Sequence, residues 1–136
     1  MDRWLWVLLF VSLLTGCMTT QSVPVDDRSR TIDAPPRVVL DAVIATLTVE
    51  GYPVDYVDRR SRLVSTGYKY ERAFLDERRI RANAYVDGVG EGRTRLTLLL
   101  SLEDVDEHGK VSAETLRGST ARELYRELLD EVEARV

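Results

Sequence analysis

Residues 78–103 read RRIRANAYVD, GVGEG and RTRLTLLLSLE in succession, and this stretch decides the fold. In both outer runs every second residue is apolar, and successive side chains of a strand point to opposite faces of a sheet. The alternating apolar positions are Ile80, Ala82, Ala84, Val86, Leu96, Leu98, Leu100 and Leu102. The three glycines of the middle run allow the positive φ angles of a turn. The pattern predicts a β-hairpin of strands 78–87 and 93–103 with one buried face.

The chain before the hairpin predicts a short strand over Arg28–Ile32 and a helix over Pro35–Glu50, where apolar residues recur at helical spacing. Asp33 is expected to cap this helix by accepting hydrogen bonds from N–H groups of the first turn. Gly51 is expected to end the helix in a left-handed conformation. Further strands are expected at 52–58 and 62–70, followed by a charged connection at 72–77.

The chain after the hairpin predicts a polar connection over 104–118, with a tight turn at 106–109, and then a helix from Thr120 to the C-terminus. Thr120 and Glu123 have the spacing of a capping box. One apolar stripe runs along this helix through Ala121, Leu124, Tyr125, Leu128, Leu129, Val132 and Val136. A stripe of this kind favours packing of the helix on the buried face of the sheet.

The order of these elements is strand, helix, four strands and helix. It predicts an α+β fold, in which two helices pack on one face of an antiparallel sheet of about five strands. The sequence shows no internal repeat, and its length suits a single domain, which we place at residues 30–136.

The N-terminus carries a different signal. The eleven residues Trp4–Leu14 are almost wholly apolar, and Leu14-Thr15-Gly16-Cys17 follows with the only cysteine. Eleven helical residues span about 16 Å, which is half of a bilayer's hydrocarbon core and typical of a signal peptide. The four residues resemble the lipobox of bacterial lipoproteins. An ordinary secretory signal with a chance cysteine, or a short buried helix, is the alternative interpretation.

The lipobox resemblance implies cleavage between Gly16 and Cys17, a diacylglyceryl group on the thiol and a fatty acyl group, such as palmitate, on the new amine. Residues 1–16 are then the signal peptide and residues 17–29 a lipidated, flexible tether. In such lipoproteins an aspartate after the cysteine favours the inner membrane. Here that residue is Met18, so the resemblance implies anchoring to the outer membrane of a Gram-negative bacterium, facing the periplasm.

The domain also resembles the helix-grip lipoproteins of the BamC family, which belong to the outer-membrane barrel-assembly machinery. The likeness covers residues 30–70 and rests on short motifs. They are Asp33-Ala34-Pro35 at the helix start, Gly51-Tyr52 after the helix, Asp58-Arg59, and Leu63-Val64-Ser65-Thr66 on the next strand. The resemblance implies an accessory role in an envelope complex, and it supplies no catalytic residues.

The residues themselves give no catalytic or metal constellation, so we expect neither an enzyme nor a cofactor. His108 is the only histidine, and the single cysteine would be lipidated, which excludes a Cys/His pair. Glu103, Asp104, Asp106 and Glu107 lack the spacing of a calcium loop and are interpreted as solvated charges. The formal net charge of −4 gives no reason to expect nucleic-acid binding.

The remaining candidate site is the face of the hairpin opposite the leucines. Arg79, Arg81 and Tyr85 are expected to lie there beside Arg93 and Arg95, with Leu99 further along. Tyr56, Tyr68 and Tyr70 could lie on either face. Arginine and tyrosine are enriched where proteins bind proteins, so the face is a candidate partner surface, although a solvated sheet face is the simpler alternative.

The function expected from this reading is binding by a membrane-anchored accessory or scaffold protein. The alternative function is transport of a small apolar ligand in a cleft between the second helix and the sheet. A carrier would keep an apolar cavity beneath that helix, whereas a scaffold would be filled there.

Overall fold

The computed structural model describes residues 23–73, 76–115 and 118–136, and within these residues the chain forms seven strands and two α-helices. The strands are β1 (Ser29–Ile32), β2 (Val54–Asp58), β3 (Leu63–Thr66), β4 (Lys69–Ala73), β5 (Asp76–Gly90), β6 (Arg93–Val105) and β7 (Val111–Thr115). The helices are α1 (Pro36–Val49) and α2 (Gly118–Ala134). The predicted signal peptide, Cys17, residues 18–22 of the tether, and Phe74 and Leu75 of the charged connection lie outside the described residues.

All strands join one antiparallel sheet around the predicted hairpin. The order is β1-β6-β5-β3-β2, while β4 also pairs with β5 and β7 also pairs with β6. The expected α+β fold with two helices on one face is confirmed, with seven strands rather than about five. The predicted strand 62–70 is two strands, β3 and β4, that separate at Gly67–Tyr68, and β7 occupies part of the stretch interpreted as a polar connection.

The central hairpin buries the face that its alternating pattern predicts. Ile80 lies opposite Leu102, Ala82 opposite Leu100, Ala84 opposite Leu98, and Val86 opposite Leu96. All of these residues are buried except Leu102, which is half-buried. The turn is shorter than the five glycine-rich residues predicted for it, because β5 continues through a bulge to Gly90. Glu91 and Gly92 make the turn, with Gly92 at φ +65°.

The strands beside the hairpin break at the same level on both sides. β3 pairs with residues 83–85 and β4 with 76–80, while β1 pairs with 94–97 and β7 with 101–105. Two side chains accept hydrogen bonds from backbone N–H groups in these gaps. Ala82 N–H donates to Thr66 Oγ1 at 2.9 Å, and Leu100 N–H donates to Tyr125 Oη at 2.7 Å. The long hairpin therefore keeps its central amides bonded without continuous flanking strands.

Both helices begin differently from the prediction. No side chain caps α1, so the capping role expected of Asp33 is wrong. Pro35 is its N-cap, and the Pro35 carbonyl accepts the Val38 and Val39 N–H groups. At the other end Gly51 has φ +86°, as predicted. Helix α2 begins at Gly118, which places Thr120 in its first turn rather than at a capping position.

The core lies between the two helices and the hairpin. The predicted stripe of α2 supplies Ala121, Tyr125, Leu128, Leu129 and Val132, all at most 3% exposed. Leu124 is half-buried, and Val136 lies beyond the helix and is exposed, so the stripe ends before that residue. Helix α1 contributes Val39, Leu40, Val43 and Leu47. Leucine and valine side chains from three elements thus fill one continuous core.

The folded domain begins earlier than residue 30. Val23 is only 3% exposed and belongs to the core, and Val25–Arg28 form a 3₁₀ turn. Arg28 Nε donates to the Val23 carbonyl at 3.1 Å, while Asp27 pairs with Arg122 of α2 at 3.5 Å. Residues 23–29 therefore pack on the domain, and the interpretation of these residues as flexible tether is wrong.

Candidate functional site

The side of the sheet that faces away from the helices is the candidate site, and we call it the outer face. Strand pairing fixes its members, because directly opposite residues point to the same side of a sheet. They include Tyr56, Leu63, Ser65, Tyr68, Tyr70, Arg79, Arg81, Asn83, Tyr85, Arg93, Arg95, Thr97, Leu99 and Glu103. Within the described residues no other layer covers them. Tyr56, Tyr70 and Tyr85 are 53%, 61% and 49% exposed.

The five predicted site residues all lie on the outer face, but not side by side. Arg79 and Arg81 lie opposite Glu103 and Ser101, whereas Arg95 lies opposite Asp87. Arg81 and Arg95 are therefore about 20 Å apart, since Ser101 is six residues from Arg95 and a strand rises about 3.3 Å per residue. The expected adjacency is wrong because, in a hairpin, only residues equally far from the turn become neighbours.

Tyrosine and arginine side chains from β4 and β5 stack in pairs at the open end of the hairpin. The Arg79 guanidinium lies 5.4 Å from the centre of the Tyr70 ring, and the Arg81 guanidinium lies 5.7 Å from that of Tyr68. These distances are those of cation–π pairs, which contribute about 0.5–1 kcal/mol at exposed sites. We call Tyr68, Tyr70, Arg79 and Arg81 the Tyr–Arg cluster. It settles the face of Tyr68 and Tyr70, which the sequence left open.

Glu103 of the neighbouring strand is engaged by two members of this cluster. Arg79 Nη1 lies 3.6 Å from Glu103 Oε1, and the Tyr68 hydroxyl donates a hydrogen bond to the same carboxylate. That hydrogen bond raises the pKa of Tyr68, since it favours the protonated phenol. Within the described residues Arg81 makes no ion pair. Its positive charge is thus stacked and held in place without being neutralised.

The turn end of the outer face is tied to the N-terminal segment. Arg95 Nη2 lies 3.4 Å from Asp26 Oδ1, in the 3₁₀ turn before β1. Asp26 is 91% exposed, so this pair contributes little to stability. Arg93 is exposed beside the turn and makes no ion pair within the described residues.

The middle of the outer face is less polar than its ends. Tyr85 of β5 lies opposite Leu63 of β3, and Leu99 of β6 lies opposite Asn83 of β5. Tyr56 lies on β2, two strands from β5. The Ser65 hydroxyl donates to the Asn83 side chain between them. The outer face is therefore an aromatic and aliphatic centre with arginines at both ends. Tyrosine and arginine are enriched at protein interfaces, so the face stays a candidate partner surface. The alternating sequence pattern predicted which residues share this face but not how they are arranged on it.

The space between α2 and the sheet is filled by side chains. Tyr125 is 0% exposed and reaches the β6 backbone, and Leu128, Leu129 and Val132 pack below it. A depression does lie at the open end of the hairpin, between β5 and α2, and its lining combines Ile80, Leu102 and Leu124 with Glu71, Arg78, Thr120, Glu123 and Glu127. These residues do not form the apolar cavity expected of a carrier for a small apolar ligand.

The residues weighed for metal or catalytic chemistry are separated by the fold. His108 is exposed in the turn predicted at 106–109, where the Asp106 carboxylate accepts the backbone N–H groups of His108 and Lys110. Glu103 and Asp104 pair with Arg79 and Arg78 and alternate between the faces of β6. These carboxylates therefore engage different partners and do not converge on one point.

Comparison with known proteins does not assign a family: no family model matches the chain, and no curated protein matches it. Among the residues described by the structure, no helix is both long enough and apolar enough to cross a membrane.

Proposed function

We propose that the protein is a lipoprotein anchored by acyl chains on Cys17 to the outer membrane, where it faces the periplasm. It acts by binding, as an accessory or scaffold component of a cell-envelope assembly or transport complex. The signal-like segment Trp4–Leu14 followed by Leu14-Thr15-Gly16-Cys17 supports the anchor. The resemblance to the helix-grip lipoproteins supports the accessory role.

The observation that carries the binding role is the uncovered outer face. Within the described residues no second layer covers this face, so its half-exposed aromatic side chains are accessible to a partner. At one end of this face Tyr70 and Tyr68 are also held in place, since Arg79 and Arg81 stack on them. Side chains that are ordered before binding lose less conformational entropy when a partner arrives.

The charges of the outer face indicate the chemistry of the partner. Arg81 and Arg93 make no ion pair within the described residues, although the chain as a whole carries −4. A protein segment with carboxylates flanking apolar side chains complements this arrangement. The carboxylates would contact the arginines at the two ends, and the apolar side chains would contact Tyr85 and Leu99 between them.

The burial of Val23 supports binding close to the membrane. Residues 18–22 are the only residues between Cys17 and the first residue of the core. Fully extended, the connection spans about 20 Å. The proposed partner is therefore a membrane protein or a protein held at the membrane surface.

Two arms of one experiment test the proposal. In the anchor arm, Cys17→Ser is expected to abolish fatty-acid labelling, because serine lacks the thiol that carries the diacylglyceryl group. Labelling of Cys17→Ser at the level of the unaltered protein would contradict the anchor.

In the binding arm, the chain with Arg81→Glu and Arg95→Glu is expected to fold and to be lipidated normally. It should lose the envelope protein that the unaltered chain retains in a pull-down, because reversed charges at an interface cost several kcal/mol. Arg126→Glu is the matched control, since Arg126 is exposed on α2, on the helix side of the sheet. Equal recovery of the partner by the double variant and the control would contradict the binding role.

A further inference from the structure

A pocket unrelated to the outer face lies where the first turn of α1 meets the turn between β2 and β3. Its volume is about 560 Å³. Its lining residues are Pro35, Pro36, Arg37, Leu40, Asp41, Arg59 and Arg62. Three of these seven residues are arginines, and only Asp41 is acidic.

The fold holds Arg62 in place from the backbone outward. The Asp58 carboxylate accepts the N–H groups of Arg60 and Ser61 at 2.9 and 3.2 Å, which fixes the turn. Hydrogen bonding by the Ser61 side chain, together with these two N–H groups, lowers the pKa of Asp58. At the end of the turn the Arg62 carbonyl accepts the Val86 N–H at 3.1 Å. Arg62 thereby adopts φ +58° and is the only described residue other than glycine with a positive φ.

The Arg62 side chain passes beside Gly88 and Pro36. A Cβ atom on Gly88 would lie 3.4 Å from Pro36 and 3.7 Å from Arg62 Nη1. The guanidinium therefore lies over the hairpin end, beside the first turn of α1. The backbone conformation at Arg62 thus accompanies a side chain that lines the pocket.

The charge in the pocket comes from the arginine side chains rather than from the helix end. Pro36 has no N–H group, and the Val38 and Val39 N–H groups are bonded to the Pro35 carbonyl. Arg59 pairs with Asp41 at 3.1 Å, while Arg37 and Arg62 make no ion pair within the described residues. The lining therefore carries an excess of two positive charges in a chain whose net charge is −4.

We propose that this pocket binds a phosphate group of an anionic ligand. The planar guanidinium forms two parallel hydrogen bonds to phosphate oxygens, and a phosphate has enough oxygens for more than one arginine. Arg37 and Arg62 contact the phosphate, Arg59 closes one side, and Pro35 and Pro36 contact the apolar remainder of the ligand. The phosphate belongs either to a lipid headgroup or to a free phosphate ester.

Calorimetric titration of the full-length chain in a neutral detergent tests the proposal. The probes are glycerol 3-phosphate, for the free ester, and the short-chain lipids dihexanoyl phosphatidylglycerol and dihexanoyl phosphatidylcholine. Saturable binding of one or both anionic probes is expected. Phosphatidylglycerol binding about tenfold tighter than glycerol 3-phosphate identifies the lipid as the source, and equal affinities identify the free ester. Absence of binding by both glycerol 3-phosphate and dihexanoyl phosphatidylglycerol would overturn the proposal.

Variants separate the pocket from general charge attraction. Arg62→Gln and Arg37→Gln are each expected to weaken binding by about tenfold or more, as loss of a charge-assisted hydrogen bond does. Arg37 is exposed on α1, so its replacement does not disturb the backbone at Arg62. Arg60→Gln is the matched control, because Arg60 lies in the same turn but not in the pocket lining. Asp41→Asn is expected to strengthen binding. Equal losses in Arg37→Gln and Arg60→Gln, or weaker binding by Asp41→Asn, would overturn the proposal.

Discussion

Tyr125 joins α2 to the centre of the sheet through one hydrogen bond, and its removal is the most informative change to the fold. Leu100 N–H points into the gap between β1, which pairs as far as Thr97, and β7, which pairs from Ser101. Tyr125 Oη accepts this N–H at 2.7 Å, and the side chain is 0% exposed. Tyr125→Phe keeps the ring but leaves a buried donor without an acceptor.

The expected cost of Tyr125→Phe is the desolvation of that donor, about 1–3 kcal/mol in the free energy of unfolding. At about 4 °C per kcal/mol for a domain of this size, the melting temperature should fall by about 4–12 °C. Urea unfolding followed by circular dichroism measures the free energy, and amide hydrogen exchange at Leu100 reports the bond itself. Exchange there should become faster than at the neighbouring amides of β6.

Tyr85→Phe is the matched control, because Tyr85 is half-exposed on the outer face and no described residue hydrogen-bonds to its hydroxyl. It should change the free energy of unfolding by no more than about 0.5 kcal/mol. Equal stability of Tyr125→Phe and Tyr85→Phe, with unchanged exchange at Leu100, would refute the assignment of this hydroxyl to the gap in the sheet.

Three further changes test the core, the strained turn and the buried phenol. Leu128→Ala should lower the free energy of unfolding in urea by about 2–5 kcal/mol, because Leu128 is 3% exposed. Glu127→Ala on the exposed side should lower it little, and equal small losses would mean that the apolar stripe of α2 is not part of the core. Arg62→Gly should raise the free energy of unfolding by about 1 kcal/mol, because glycine adopts φ +58° without strain. Arg60→Gly should lower the free energy of unfolding. A more stable Arg60→Gly than Arg62→Gly would contradict backbone strain at Arg62. Burial raises the pKa of Tyr52 to about 12, whereas the same phenol in the unfolded chain ionises near 10.0. The stability that comes from this difference is therefore fully present below pH 10, and about 2–3 kcal/mol of it should be lost as the pH rises toward 12. Tyr52→Phe should flatten that loss in alkaline unfolding curves, and an unchanged slope would contradict the assignment.

The elements with strong periodicity were predictable because their side-chain pattern reflects burial directly. The alternating leucines of β6 and the stripe of α2 are examples. β7 was not predictable, since Val111–Thr115 lacks a sustained alternation and is ordered by backbone pairing with β6. Val23 and Val25 are likewise two valines in a polar stretch, and the sequence does not show that Val23 is buried while Val25 is exposed.

The candidate site was predictable as a face but not as an arrangement. Alternation alone placed Arg79, Arg81 and Tyr85 opposite the buried residues. Their neighbours depend on strand register and on the break between β3 and β4, which brings Tyr68 and Tyr70 beside the arginines. The phosphate pocket gave no sequence signal, because its arginines come from two segments that only the packing of α1 brings together.

We propose that the outer face, rather than the helix side, binds an envelope protein near the membrane. Photo-crosslinking in intact cells tests this most directly, with a benzoylphenylalanine placed at Tyr70 or Tyr85 on the outer face. Matched probes at Val38 and Arg126 lie on the exposed sides of α1 and α2. We expect one discrete crosslinked protein from Tyr70 and Tyr85, lost when Arg81→Glu is added, and none from Val38 or Arg126. Crosslinks from Val38 and Arg126 alone, or crosslinks from Tyr85 that Arg81→Glu leaves unchanged, would contradict it.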